Sequence, residues 1–199
     1  YSRGYLPHYD AATVQFITFR LVDALPRTIV DSWARELARL PEEERVRDEW
    51  KRVHAYLDAG RGACWLKDRS IAEIVESTFF HHDGDRYRLL GWTVMPNHVH
   101  VLAEFGESAS LPNVVKGWKG YSAREANRLL GRSGPFWFRE YHDRYVRDAD
   151  HLRNARRYID DNPVKAGLCE KASSWPYGSA RFDTLPPVGQ PAVPVGAVC

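Results

Sequence analysis

Cysteine is scarce: Cys64, Cys169 and Cys199 are the only three in 199 residues, and they stand far apart. No CxxC pair occurs, which excludes a zinc ribbon and a disulfide framework and fits a reducing cytoplasm. Long apolar runs are missing too; none approaches the roughly 18 residues of a membrane-crossing helix. The opening Tyr1-Ser2-Arg3-Gly4 has no apolar stretch, so no secretory signal is expected, and without an initiator Met a trimmed sequence is expected. Neither GxxxxGK[ST] nor GxGxxG is present, so no sequence cradle for ATP or a dinucleotide is found. An excess of one charge is absent as well: 28 Lys+Arg against 26 Asp+Glu leave +2.

The chain is 44% hydrophobic and 27% charged, as expected of a soluble globular protein, and its length suits one domain. Its charge is unevenly placed. Between Val114 and Tyr158, eleven Lys/Arg face five acids, a local balance of +6, whereas residues 31–58 are more acidic. A one-sided basic block is the footprint of a phosphate-backbone binder. The alternative is a solvated surface whose Arg stems cover apolar area.

Residues 14–21, rich in β-branched and aromatic types, predict a buried strand. Residues 29–57 predict charged helices parted at Pro41, and 68–80 a helix with Asp68 or Ser70 as N-cap. Strands are expected over 87–95 and 98–105, hinged at Pro96-Asn97. A helix over 111–130, a short strand near 144–146 and a helix over 148–161 follow, the last stopped by Asn162-Pro163. This order predicts an α+β fold of antiparallel strands covered by helices on one face. The domain is expected over 1–180, with 31–85 as a helical elaboration and 181–199, rich in Pro, Gly and Val, as a flexible tail.

The sharpest local feature is Met95-Pro96-Asn97-His98-Val99-His100-Val101-Leu102. Two His at i and i+2 on a strand share a face, with Cα atoms about 6.5–7 Å apart, so both imidazoles can converge on one metal. The alternative is a pair of half-exposed strand histidines. On the helix from 148, Asn154, Tyr158 and Asn162 share a face beside the apolar stripe of Leu152, Ala155 and Ile159. Tyr158 is either a half-buried packing residue or a phenol presented with Asn162, Arg156 and Arg157 to a phosphate. A phenolate can displace a sugar 3′-oxygen from a phosphodiester, and a divalent metal on two imidazoles would polarise that phosphate. Tyr141 and Tyr145 compete as nucleophiles but lack the Asn four residues on. Trp118 and Tyr121 lie among Lys116, Lys119 and Arg124, a recipe for stacking unpaired bases, with Trp118 as a plain core anchor the alternative.

Pro96-Asn97-His98-Val99-His100-Val101-Leu102 resembles the HUH element of the single-tyrosine transposases. Arg157-Tyr158-Ile159-Asp160-Asp161-Asn162-Pro163-Val164-Lys165-Ala166-Gly167-Leu168 resembles the tyrosine helix and following loop of the REP-associated tyrosine transposases. Residues 137–147, Trp175-Pro176-Tyr177-Gly178-Ser179 and Arg3-Gly4-Tyr5-Leu6-Pro7-His8 resemble the same group, so the likeness runs over about residues 1–180. The resemblance implies a ferredoxin-like HUH nuclease fold, here with extra N-terminal helices. It implies Mg²⁺ or Mn²⁺ on His98 and His100, with Asn162 as third ligand, and Tyr158 as the nucleophile that becomes linked to a DNA 5′-phosphate. The implied substrate is single-stranded DNA of repetitive extragenic palindromes, folded as hairpins with a tag at the foot. Arg3, Tyr5, Lys116, Lys119 and Arg124 are then candidate DNA contacts, with Arg156 or Arg157 steadying the phosphate. A monomer in the bacterial cytoplasm, associated with the nucleoid, is expected.

One departure stands out: Phe138 follows Trp137 where the family often has Gln. Rival readings are a hairpin-binding module without cleavage, a histidine-triad nucleotide hydrolase and a structural zinc protein. Leu102 at the third position argues against the histidine triad, and the want of nearby Cys against zinc.

Overall fold

The computed structural model describes residues 13–106 and 109–182. Four strands, β1 (Thr13–Arg20), β2 (Tyr87–Val94), β3 (His98–Phe105) and β4 (His142–Tyr145), form one sheet in the order β2-β3-β1-β4, every neighbouring pair antiparallel. The described helices are α1 (Arg27–Leu37), α2 (Glu42–Asp58), α3 (Arg69–Phe80), α4 (Leu111–Leu129) and α5 (Ala149–Lys165). With α3 between β1 and β2 and α4 between β3 and β4, the arrangement is the ferredoxin-like one. Of the stretch 31–85, α3 is therefore part of the sandwich, while α1 and α2 are additions to it.

Period-two alternation divides the sheet into two faces. Ile17, Phe19, Val99, Val101, Ala103 and Phe105 pack with α3 and α4 in the larger core. Phe16, Leu90 and Leu102 meet Ala155 and Ile159 of α5 in the smaller one. The expected single covered face is thus corrected to two. The apolar stripe of α5 needs an apolar partner, and the even-numbered positions of β1 and β3 supply it.

The ends of the helices follow local chemistry. Asp68 caps α3 by accepting from the Ser70 and Ile71 amides, and Asp148 caps α5 by accepting from the His151 amide at 2.7 Å. The expected stop at Asn162-Pro163 is corrected: α5 runs to Lys165 with Pro163 inside its last turn. Proline forfeits only its own N–H. The amides of Ala166, Gly167 and Leu168 still reach back to carbonyls of Asn162, Val164 and Pro163. Gly167, at φ 68°, makes the left-handed turn that ends the helix.

The packed chain extends past residue 180. Arg181 pairs with Glu76 at 2.6 Å, and Phe182 lies against Trp92. The rest of the expected tail, 183–199, and the candidate contacts Arg3 and Tyr5 fall outside the described residues.

Candidate active site

His98 and His100 project from β3 toward α5, opposite Arg20 and Thr18 of β1. Both are fully buried. Each has one ring nitrogen already engaged: His98 Nδ1 meets Asn97 Oδ1 at 2.7 Å, and His100 Nδ1 meets Thr18 Oγ1 at 2.8 Å. Their Nε2 atoms are left facing each other at 3.0 Å. Such partners fix the ring orientation of metal-ligating histidines. Burial, then His98 and His54 beside it, holds the His100 imidazole well below its usual value, so the ring is neutral and its lone pair available.

Tyr158 comes to this pair from α5. Its ring lies 5.4 Å from that of His100 and edge-on to Phe16 at 5.9 Å. The helix is pinned by Arg156, whose Nη1 donates to the Leu90 carbonyl at 2.7 Å while Nε meets Asp160 at 2.9 Å. That carbonyl sits at a bulge, where β2 shifts register between Leu89 and Gly91. Arg156 can lie there because residue 91 has no side chain; a Cβ would stand 2.9 Å from Arg156 Cδ. Arg156, expected to steady a phosphate, is therefore spent on the fold.

A third element, not foreseen from sequence, closes the site. Trp50, His54 and Asp58 recur every fourth residue on α2 and share one face. His54 Nδ1 is 2.9 Å from the Tyr158 phenol oxygen, and its ring stacks on His100 at 5.3 Å. Trp50 packs on both His54 and Tyr158. Burial lowers the His54 pKa to about 3, so it is a neutral hydrogen-bond partner. Asp58 Oδ1 lies 3.5 Å from His98 Nε2, and ligand atoms of Asp58, His98 and His100 fall within 4.8 Å of one another. Burial, with the negative charge of Asp58 second, pushes the Tyr158 phenol up. Asn162 is itself buried, and its amide atoms have no hydrogen-bond partner among the described residues. The spacing Trp-x-x-x-His-x-x-x-Asp was the only sequence signal for this face, hidden in a strongly charged helix.

The remaining candidates separate by role. Lys119 donates to the Phe138 and Arg139 carbonyls at 2.9 and 2.7 Å, and burial lowers its pKa to about 8. Lys116 and Arg157 are exposed, and Arg124 lies over the Tyr121 ring and pairs with Glu125. Trp118 is the core anchor of α4, its indole N–H bonded to the Tyr87 hydroxyl at 2.9 Å. Phe138 takes the Arg20 guanidinium on its ring at 3.7 Å. Tyr145 pairs with Gln15, on the sheet face away from His100, and Tyr141 packs against the larger core.

The chain is similar to known proteins in sequence and in fold. Residues 66–162 match the sequence model of a family described as Transposase IS200 like. The chain is 30% identical over 100 residues to a Haemophilus influenzae protein whose name places it among REP-associated tyrosine transposases. That match covers 45% of this chain and spans 57% of the relative's length. A solved REP-associated tyrosine transposase bound to a REP hairpin superposes with a TM-score of 0.56 at 16% identity, over 92% of this chain and 85% of that one. It shares the fold.

Proposed function

We propose, from the match of residues 66–162 to the Transposase IS200 like family, that the protein is a metal-dependent endonuclease and strand transferase. Its substrate is single-stranded DNA of the repetitive-extragenic-palindrome hairpin class. The observation that carries this reading is the convergence of the Tyr158 phenol with His98 and His100 in one buried cluster. Among the tyrosines weighed, Tyr158 is the one on the histidine face of the sheet.

In this reading the Tyr158 oxygen attacks the scissile phosphorus. A new O–P bond forms as the bond to the 3′-oxygen breaks; the DNA 5′-phosphate stays on the tyrosine and the 3′-hydroxyl leaves. The link keeps the phosphodiester energy, so reversal by another 3′-hydroxyl rejoins a strand without ATP. Mg²⁺ or Mn²⁺ held by His98 and His100 supplies Lewis-acid polarisation of the phosphate oxygens when bound. Thr18 and Asn97 orient the two imidazoles, and His54 orients the phenol. Lys116, Arg124, Arg157 and Arg3 offer charge to the DNA backbone, and Tyr5 offers a ring and a hydroxyl in the same proposed hairpin contact. The clamp of α5 on its own sheet supports a monomer whose site is complete in one chain. Action on chromosomal hairpins would place it in the bacterial cytoplasm, at the nucleoid.

The test is incubation with single-stranded hairpin DNA from the repeats flanking its own gene, with Mn²⁺ or Mg²⁺ against EDTA. Wild type should give a metal-dependent covalent adduct, and Tyr158→Phe none. Tight hairpin binding without an adduct would favour the binding-module alternative, for which the cover of Trp50 and His54 over Tyr158 speaks.

A further inference from the structure

The family match begins at residue 66, so α2 lies outside it, yet the C-terminal end of α2 reaches the histidine pair. We infer that Asp58, from this added helix, is an anionic ligand of the divalent cation held by His98 and His100. The inference rests on the metal-dependent reading above and deepens it.

Two features of Asp58 support the assignment. Its Oδ1 is buried and has no hydrogen-bond partner among the described residues, while the other nitrogens of both facing imidazoles are taken. The side chain as a whole is 29% exposed, but a carboxylate oxygen buried without a partner is costly unless a cation meets it. Asp58 is also the last residue of α2, with no basic residue in that turn. The carbonyl end of a helix repels a carboxylate, so the local backbone gives it no compensation.

The chemistry of the donor set points the same way. Two neutral imidazoles alone suit Zn²⁺, Cu²⁺ or Ni²⁺. Mg²⁺ and Mn²⁺ prefer hard oxygens and are held through one or two carboxylates. Asp58 supplies the hard, charged oxygen that the His-x-His element lacks. Asn162, one turn beyond Tyr158, brings a neutral amide and no charge. Asp58 thus sets the affinity and the metal preference, and ties α2 to the loaded site.

The test is Mn²⁺ binding to the full chain without DNA, by calorimetry and by the Mn²⁺ electron paramagnetic signal, for wild type, Asp58→Asn, Asn162→Ala and His98→Ala. Melting in EDTA is recorded for each. Asp58→Asn is expected to weaken Mn²⁺ roughly tenfold or more, to shift preference toward Zn²⁺, and to leave the metal-free melting temperature equal or higher. Wild-type Mn²⁺ affinity in Asp58→Asn, with loss in His98→Ala, would overturn the inference and leave the histidine site standing. A drop in metal-free melting temperature would also overturn it, making Asp58 a structural partner of His98. If His98→Ala binds Mn²⁺ like wild type, the metal-dependent reading itself falls.

Discussion

The Nδ1 of His54 stands 2.9 Å from the phenol oxygen of Tyr158, across 104 residues of chain. The bond joins α2 to α5 above the histidine pair and leaves the phenol one orientation. Replacing His54 by Phe keeps the stacked ring and deletes the bond. The expected result is an adduct-forming rate lower by about tenfold or more, with hairpin affinity unchanged. Single-turnover kinetics beside a gel-shift titration measure the two; an undiminished rate would remove His54 from the positioning of Tyr158.

Acid should loosen the fold through the same residue. The folded pKa of His54 is about 3 against an ordinary 6.5, so between those values the unfolded chain holds the extra proton. Its contribution is complete above about pH 6.5 and drains away as pH falls toward 3, by an amount of the order of a few kcal/mol. Urea melts in EDTA at pH 7.5 and 5 should show a smaller loss for His54→Asn than for wild type. Equal losses would contradict the burial of a neutral imidazole.

Gly91 is needed for the seat of Arg156. Gly91→Ala puts a methyl 2.9 Å from Arg156 Cδ and should cost about 1–3 kcal/mol in equilibrium denaturation. Arg156→Met should lower the melting temperature while leaving the salt dependence of DNA binding as in wild type. A reduced salt slope would return Arg156 to the DNA contacts.

Lys116 and Lys119, one turn apart on α4, should behave oppositely. Lys119 holds two backbone carbonyls, so Lys119→Met should destabilise the protein. Lys116 is exposed, so Lys116→Ala should weaken hairpin binding and reduce the salt slope by up to about 0.7–0.9. Affinity at several salt concentrations decides; an unchanged slope for Lys116→Ala removes it from the interface.

The elements were largely legible in the sequence because their signals are local. Alternation marked β3, Asp68 marked the start of α3, and Pro41 separated α1 from α2. His98, His100 and Tyr158 were legible through short motifs. His54 and Asp58 were not, since their meaning arises only when α2 folds over β3. Arg156 and Lys119 read as surface cations because nothing local announces that carbonyls of Leu90, Phe138 and Arg139 await them. The run of α5 through Pro163 rests on the amides of Ala166, Gly167 and Leu168 bonding back into its last turn, which spacing does not encode.

The position of β1 has a consequence for anyone who would excise or transplant this site. Residues 66–162 contain both histidines and the tyrosine, yet β1 lies between β3 and β4. Cut at residue 66, the stretch would lose a central strand. It would leave β3 with a bare hydrogen-bonding edge and His100 without Thr18. The stretch that carries the motifs is therefore not an autonomous module: its smallest portable unit begins at or before Thr13 and includes α2.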